Sequence, residues 1–250
     1  MIYFVSLQPE IKCFTKKNVC IMKTKIISLL LCVGLLFSCN NTQKGAAYGA
    51  GGGAVLGGII GAIAGNTLVG AAIGGAVGAG AGAIIGKKMD KAKAEAEKVK
   101  NAQVETVKDN NGLEAVKVTF DSGILFASGK SDLSATAKNS LAEFATVLKN
   151  NSDCDIAIQG YTDNSGFRGK SATESAAMNK ALSLDRASAV SNYLKGLAVS
   201  NSQIKSVEGF GQENPVADNS TASGKAQNRR VEIYMYASQK MIKDAEAQSK

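Results

Sequence analysis

The 250-residue chain contains no histidine, and that absence limits its chemistry more than any motif extends it. Ser-His-Asp and Cys-His catalysis need an imidazole, and so do metal sites built on it. No paired carboxylates stand in a recognisable hydrolase motif, so the expectation is a protein that is not an enzyme and takes no metal or cofactor. Five cysteines are present: Cys13, Cys20, Cys32, Cys39 and Cys154. They make no disulfide framework. Cys154, beside a predicted strand, reads as a small buried hydrophobe. The formal charge is +8, but five of the 29 basic residues and one of the 21 acidic ones precede Cys39. The chain after Cys39 is only mildly basic and shows no basic stripe with interleaved aromatics, so nucleic acid is not an expected partner.

Cys39 is the first residue with an assignable reaction. Met22-Lys23-Thr24-Lys25 precedes an apolar run from Ile26 to Phe37, then Ser38-Cys39. Such a run is too short to span a bilayer comfortably and reads as a signal peptide. Leu36-Phe37-Ser38-Cys39 resembles the lipobox of bacterial lipoproteins, although Phe37 replaces the small or aliphatic residue usual at its place. The resemblance implies a diacylglyceryl thioether on Cys39, cleavage before it, and further acylation of the palmitate kind. Each buried methylene contributes roughly 0.8 kcal/mol, so several acyl chains anchor stably. The alternative is an uncleaved anchor with an ordinary cysteine. Residues 1–21 lack the pattern, which makes Met22 a candidate start. Asn40 and Asn41 follow Cys39, with no acidic residue until Asp90. By resemblance to sorting patterns the lack of Asp beside Cys39 favours the outer membrane, and the lack of an acidic cluster argues against display on the outer surface.

A second group of residues lies near the C-terminus. Tyr161-Thr162-Asp163-Asn164-Ser165-Gly166 is followed by Asn179 to Ala187, by Gly209-Phe210-Gly211 running to Pro215, and by Asn228-Arg229-Arg230-Val231-Glu232. With Phe126 to Leu133 as an opening segment, these ordered motifs resemble the OmpA-like peptidoglycan-binding domain over roughly residues 113–237. The resemblance implies binding of the peptide stem of peptidoglycan at diaminopimelate, a zwitterion at a side-chain end. By motif position Asp163 would take the ammonium and Arg186 the carboxylate, through its planar fork. Asn179 would add a neutral hydrogen bond, and Thr162 and Asn164 would line the loop. Taken alone, Asp163 and Asn164 could merely serve a turn, and Arg186 could be a solvated helix charge. Asp163 and Arg186 are both expected at the surface, and Arg229-Arg230 is expected to be structural or a surface patch. The excess length between Asp163 and Arg186, Phe167 to Ser175, is expected as a long loop at the rim.

The elements that must position these residues are legible as a pattern. Val104 to Val107 and Glu114 to Phe120 flank Asn111-Gly112, a hairpin signal. Asp132-Leu133-Ser134 starts a helix with Leu133, Ala137, Leu141, Phe144, Ala145 and Leu148 at three and four spacing. Ile156 to Ile158 is a short buried strand. Ala176 to Leu194 is a second helix with Leu182, Ala189, Val190 and Leu194 on one side, ended by Gly196. Ile204 to Phe210 and Arg229 to Tyr236 are strands, the latter with Val231, Ile233 and Met235 on one face. The fold class is α+β, a two-layer αβ sandwich of the OmpA C-terminal kind over residues 104–238.

Ahead of it lies a segment of another character. Sixteen of the 27 glycines fall between Gly45 and Gly86, where no residue is charged. Gly49, Gly53, Gly57, Gly61 and Gly65 form one period-four series, and Gly70, Gly74, Gly78, Gly82 and Gly86 another. Residues four apart share a helix face, and glycine there lets backbones approach closely in lipid. The spacing predicts a helical hairpin over 45–86 turning at Asn66-Thr67, with Ile59, Ile63, Ile73, Ile84 and Ile85 among the outward residues. It resembles the glycine-zipper region of envelope lipoproteins and could support homo-oligomers. A flexible linker is the alternative. Residues 1–38 are thus read as leader, 39–44 as lipidated N-terminus, 87–103 as a solvated helical spacer and 239–250 as a polar tail. The whole reads as an outer-membrane lipoprotein, the domain in the periplasm, tethering outer-membrane lipid to peptidoglycan. A pore or assembly factor using the zipper is the alternative. A motor stator is disfavoured, since no intramembrane acid is present.

Overall fold

The computed structural model describes residues 79–108 and 113–250. The expected leader, lipidated N-terminus with Cys39, zipper residues before Ala79 and Asn111-Gly112 turn all lie outside the described residues. The described chain begins with helix α1 (Ala79–Ala96) and strands β1 (Ala102–Lys108) and β2 (Glu114–Asp121). A single turn α2 (Ser122–Leu125), helix α3 (Ala135–Asn150) and strand β3 (Cys154–Gly160) follow. Helix α4 (Ala172–Gly196), strand β4 (Ile204–Gly209), helix α5 (Ala222–Asn228), strand β5 (Arg230–Ala237) and helix α6 (Gln239–Gln248) complete it.

The five strands form one sheet in the order β1-β2-β5-β3-β4. β1 and β2 pair antiparallel from Ala102↔Phe120 to Lys108↔Glu114, a register that brackets the expected turn. β5 lies antiparallel between β2 and β3, while β3 and β4 run parallel and are joined through α4. A parallel pair needs such a crossover. Alternation sends Val116, Val118, Phe120, Ile156, Ile158, Val231, Ile233 and Met235 into one core under the helices. Leu141, Phe144 and Leu148 of α3 and Val190 and Leu194 of α4 meet them there. Phe120 and Phe144 touch edge to face at 5.9 Å. The two-layer α+β sandwich expected from the sequence is therefore the fold. Cys154 is buried and free, and burial pushes its thiol up to about 12, so it packs as a hydrophobe.

Three expectations require correction. First, the Lys/Ala/Glu-rich stretch after Gly86 is not a solvated spacer. Lys87 to Ala96 belong to α1, whose Ala81, Ile85, Met89, Ala92 and Ala96 lie in the main core, and Ala102 and Gln103 already lie in β1. Ile85, expected to point outward from a zipper, is 0% exposed. Second, the C-terminal stretch is a helix rather than a polar tail. Ser238 caps α6 by accepting the Met241 amide on its side-chain oxygen, and Met241, Ile242 and Ala245 join the same core. Third, only Phe167 to Ser171 of the expected rim loop is loop. Ala172 to Ser175 form the first turn of α4, because Ser171 and Glu174 close a capping box.

Among the described residues, no helix is long and apolar enough to cross a membrane, and no cluster of acidic or cysteine side chains could hold a metal ion.

Candidate ligand-binding site

The site forms where β3 ends. Thr162, Asp163 and Asn164 come just after its last residue, and α4 returns over the same end of the sheet. The approach is close because the strands carry glycine there. A Cβ on Gly209 would collide with the Leu184 backbone and with Ser183 Oγ. Gly211 has φ +56°, and its Cβ would lie 2.9 Å from Lys180 N. Ser183 Oγ accepts the Gly211 amide at 2.8 Å, and the Thr162 amide donates to Gly211 O at 2.7 Å. These contacts fix α4, and with it Asn179 and Arg186, against the loop that carries Asp163.

Asp163 is only 6% exposed. Its Oδ1 accepts the Ser165 amide at 2.9 Å, and its Oδ2 pairs with Arg229 Nη1 at 2.6 Å. Burial alone would raise this carboxyl. The hydrogen bonds from Arg229 and Ser165 together outweigh burial and hold it below the usual carboxylate range. Each carboxylate oxygen has a second lone pair, so both can still accept from a ligand.

Arg186 is 4% exposed. Its Nε donates to Lys130 O at 2.9 Å, and its guanidinium lies 5.1 Å from the centre of the Phe126 ring. Its terminal nitrogens make no hydrogen bond among the described residues, and no carboxylate there pairs with it. Burial lowers its pKa first and the charge of Arg229 lowers it further, while Asp163 opposes both. It stays charged at any ordinary pH. Asp163, Arg186 and Arg229 thus act on one another, two cations to one anion.

The other sequence-derived residues divide. Asn179, buried, donates from Nδ2 to Ser165 O at 3.0 Å, so it ties down the loop. Thr162 Oγ1 is buried with no partner among the described residues. Asn164 is exposed, and its amide meets Asn219 Oδ1 at 3.4 Å. The expectation that Asp163 and Arg186 sit at the surface is wrong for both: the glycine-mediated approach of α4 covers them. Arg229, expected to be structural or part of a surface patch, instead sets its half-exposed side chain on Asp163, a pairing that no spacing in the sequence signals. Arg230 is structural: it bonds Glu232 at 2.7 Å and lies 3.8 Å from the Tyr161 ring centre.

Comparisons with known proteins cover the region that carries Asp163, Arg186 and Arg229. Residues 125–229 match the OmpA family, and residues 22–90 match the YMGG-like Gly-zipper. The chain is 37% identical over 116 residues to the probable lipoprotein YiaD of Escherichia coli strain K12, covering 46% of this chain and 49% of that one. It is 36% identical over 119 residues to the peptidoglycan-binding protein ArfA of Mycobacterium tuberculosis, covering 48% of this chain and 34% of that one. The match therefore spans about half or less of these relatives' length. A crystal structure of a MotB-like protein from Desulfovibrio vulgaris shares the fold, with a TM-score of 0.51 at 22% identity over 61% of this chain and 93% of the other. The chain is thus similar to the OmpA family over residues 125–229 and to the YMGG-like Gly-zipper over residues 22–90.

Proposed function

We propose that this protein is an outer-membrane lipoprotein, anchored through Cys39, whose OmpA-family domain binds the diaminopimelate of peptidoglycan stems from the periplasm. It would tether the membrane to the wall without catalysis. The zipper would assist anchoring and could bring copies together. The observation that carries the reading is Arg186. A buried guanidinium without an anionic partner is costly, and a ligand carboxylate on its free terminal nitrogens would offset that cost. Asp163, beside it, would accept the ligand's ammonium on its remaining lone pairs. The relatives' names, a probable lipoprotein and a peptidoglycan-binding protein, support the same reading.

The test is sedimentation of the full chain in detergent with purified sacculi. A charge-assisted hydrogen bond contributes about 1.5–3 kcal/mol, so Asp163→Ala or Arg186→Ala should weaken binding roughly tenfold or more. Circular dichroism checks folding, which matters because both residues are buried. Binding should hold steady above the usual carboxylate range and fall as pH drops through the depressed value of Asp163, since protonation removes the charge that faces the ammonium. Folded variants that sediment like the parent would sink the assignment.

A further inference from the structure

The motif Asn228-Arg229-Arg230 contains one side chain that neither the ligand nor the sheet uses. Asn228 is 0% exposed, at the end of α5. Its Oδ1 accepts the amides of Val216 and Ala217 at 2.8 and 3.0 Å. Its Nδ2 donates to Ala217 O at 2.8 Å and to Asn219 Oδ1 at 2.9 Å. All four bonds go to one loop, so a single carboxamide holds residues 216–219. Asn219 Oδ1 also accepts the Asn164 amide, on the residue after Asp163. The residue after Asn228 is Arg229, which grips Asp163 itself.

We infer that Asn228 and Asn219 are positioning residues, a relay that sets the Asp163–Asn164 loop for its ligand from behind. The relay rests on the ligand reading above. Arg229 reaches Asp163 by its side chain, and Asn219 reaches Asn164 by its carbonyl oxygen. Both start from Asn228, so displacing it would move the carboxylate from two directions. Asn219 is needed only as an acceptor, since both of its bonds end on Oδ1.

Asn228→Ala leaves the Val216 and Ala217 amides without their acceptor and could unfold the region, so Asn219, half-buried in a loop, carries the test. The full chain, 15N-labelled in detergent, is titrated with free diaminopimelate and sedimented with sacculi. Asn219→Ala should stay folded, shift the Asn164 amide resonance and weaken binding by about threefold to tenfold, the range for one neutral hydrogen bond. Asn219→Asp, which keeps the acceptor, should return the Asn164 resonance toward its parental position and recover binding. Asn219→Ala binding like the parent overturns the relay, and so does a loss that Asn219→Asp fails to recover. Asp163→Ala is run alongside. If it too binds like the parent, the ligand assignment is at fault and the relay falls with it. If it alone weakens binding, the site stands and only the relay is wrong.

Discussion

The site and the flanking helices are held by different forces. Around Asp163 the buried groups are polar, and they end on named atoms: Asn179 on Ser165 O, Arg186 on Lys130 O, Ser183 on the Gly211 amide. α1 and α6, both outside the matched residues 125–229, are held by Ala81, Ile85, Met89, Ala92, Met241, Ile242 and Ala245 in the core. Directional bonds in a buried setting fix geometry and are costly when half made. Apolar burial is tolerant of small shifts and scales with area. The domain thus separates where the proposed ligand groups are set from where part of its stability comes from.

The largest expected effect tests the flank. Ile85→Asp places a carboxylate in the apolar core and should destabilise the fold by about 4 kcal/mol. The measure is urea unfolding of the full chain. An unchanged midpoint would mean that α1 is not part of the folded unit. The same burial argues against truncating the domain at residue 104, since that cut removes all of α1.

A smaller effect is expected at the junction of α4 with the sheet. Gly209→Ala forces its methyl against the Leu184 backbone and Ser183 Oγ. Overpacking of this kind costs about 1–3 kcal/mol. Because α4 carries Arg186, sacculus binding should fall further than the lost stability explains. Equal binding by the folded variant would show that the site tolerates movement of α4, which would weaken the contrast with the flank.

These regions also differ in how well the sequence announces them. In α3 the apolar spacing from Ala137 to Leu148 names the buried face directly. In α4 the buried face over the site is Ser175, Asn179, Ser183 and Arg186, so apolar periodicity is silent there. The helix accordingly begins four residues before the apolar pattern does, at a start that Ser171 and Glu174 signal as a capping pair. In α1 the signal is present and outweighed by composition. Ala81, Ile85, Met89, Ala92 and Ala96 recur at four and three spacing, but the lysines between them make the stretch look solvated. Asp163, Arg186 and Asn179 are reached through the family resemblance. Arg229 is not, because its pairing depends on where β5 begins relative to the β3 loop, a tertiary fact.

The smallest effect concerns what else could hold α1. Lys88 of α1 pairs with Asp153 at 2.6 Å, ahead of β3, and both side chains are about two-fifths exposed, 41% and 37%. A short distance is not by itself a large energy. Exposed pairs gain little in a high dielectric, lose side-chain freedom and are screened by salt, so they contribute about 0–1 kcal/mol. Lys88→Ala should therefore move the urea midpoint only slightly, and added salt should shrink even that difference. Cutting back Lys88 leaves the apolar stripe of Ala81, Ile85, Met89 and Ala92 intact, and that stripe is what keeps α1 on the core. A loss well above 1 kcal/mol, or one that salt abolishes along with most of the chain's stability, would mean that α1 is pinned electrostatically. The flank would then be held as the site is, by specific charged contacts, and the distinction between the two regions would not survive.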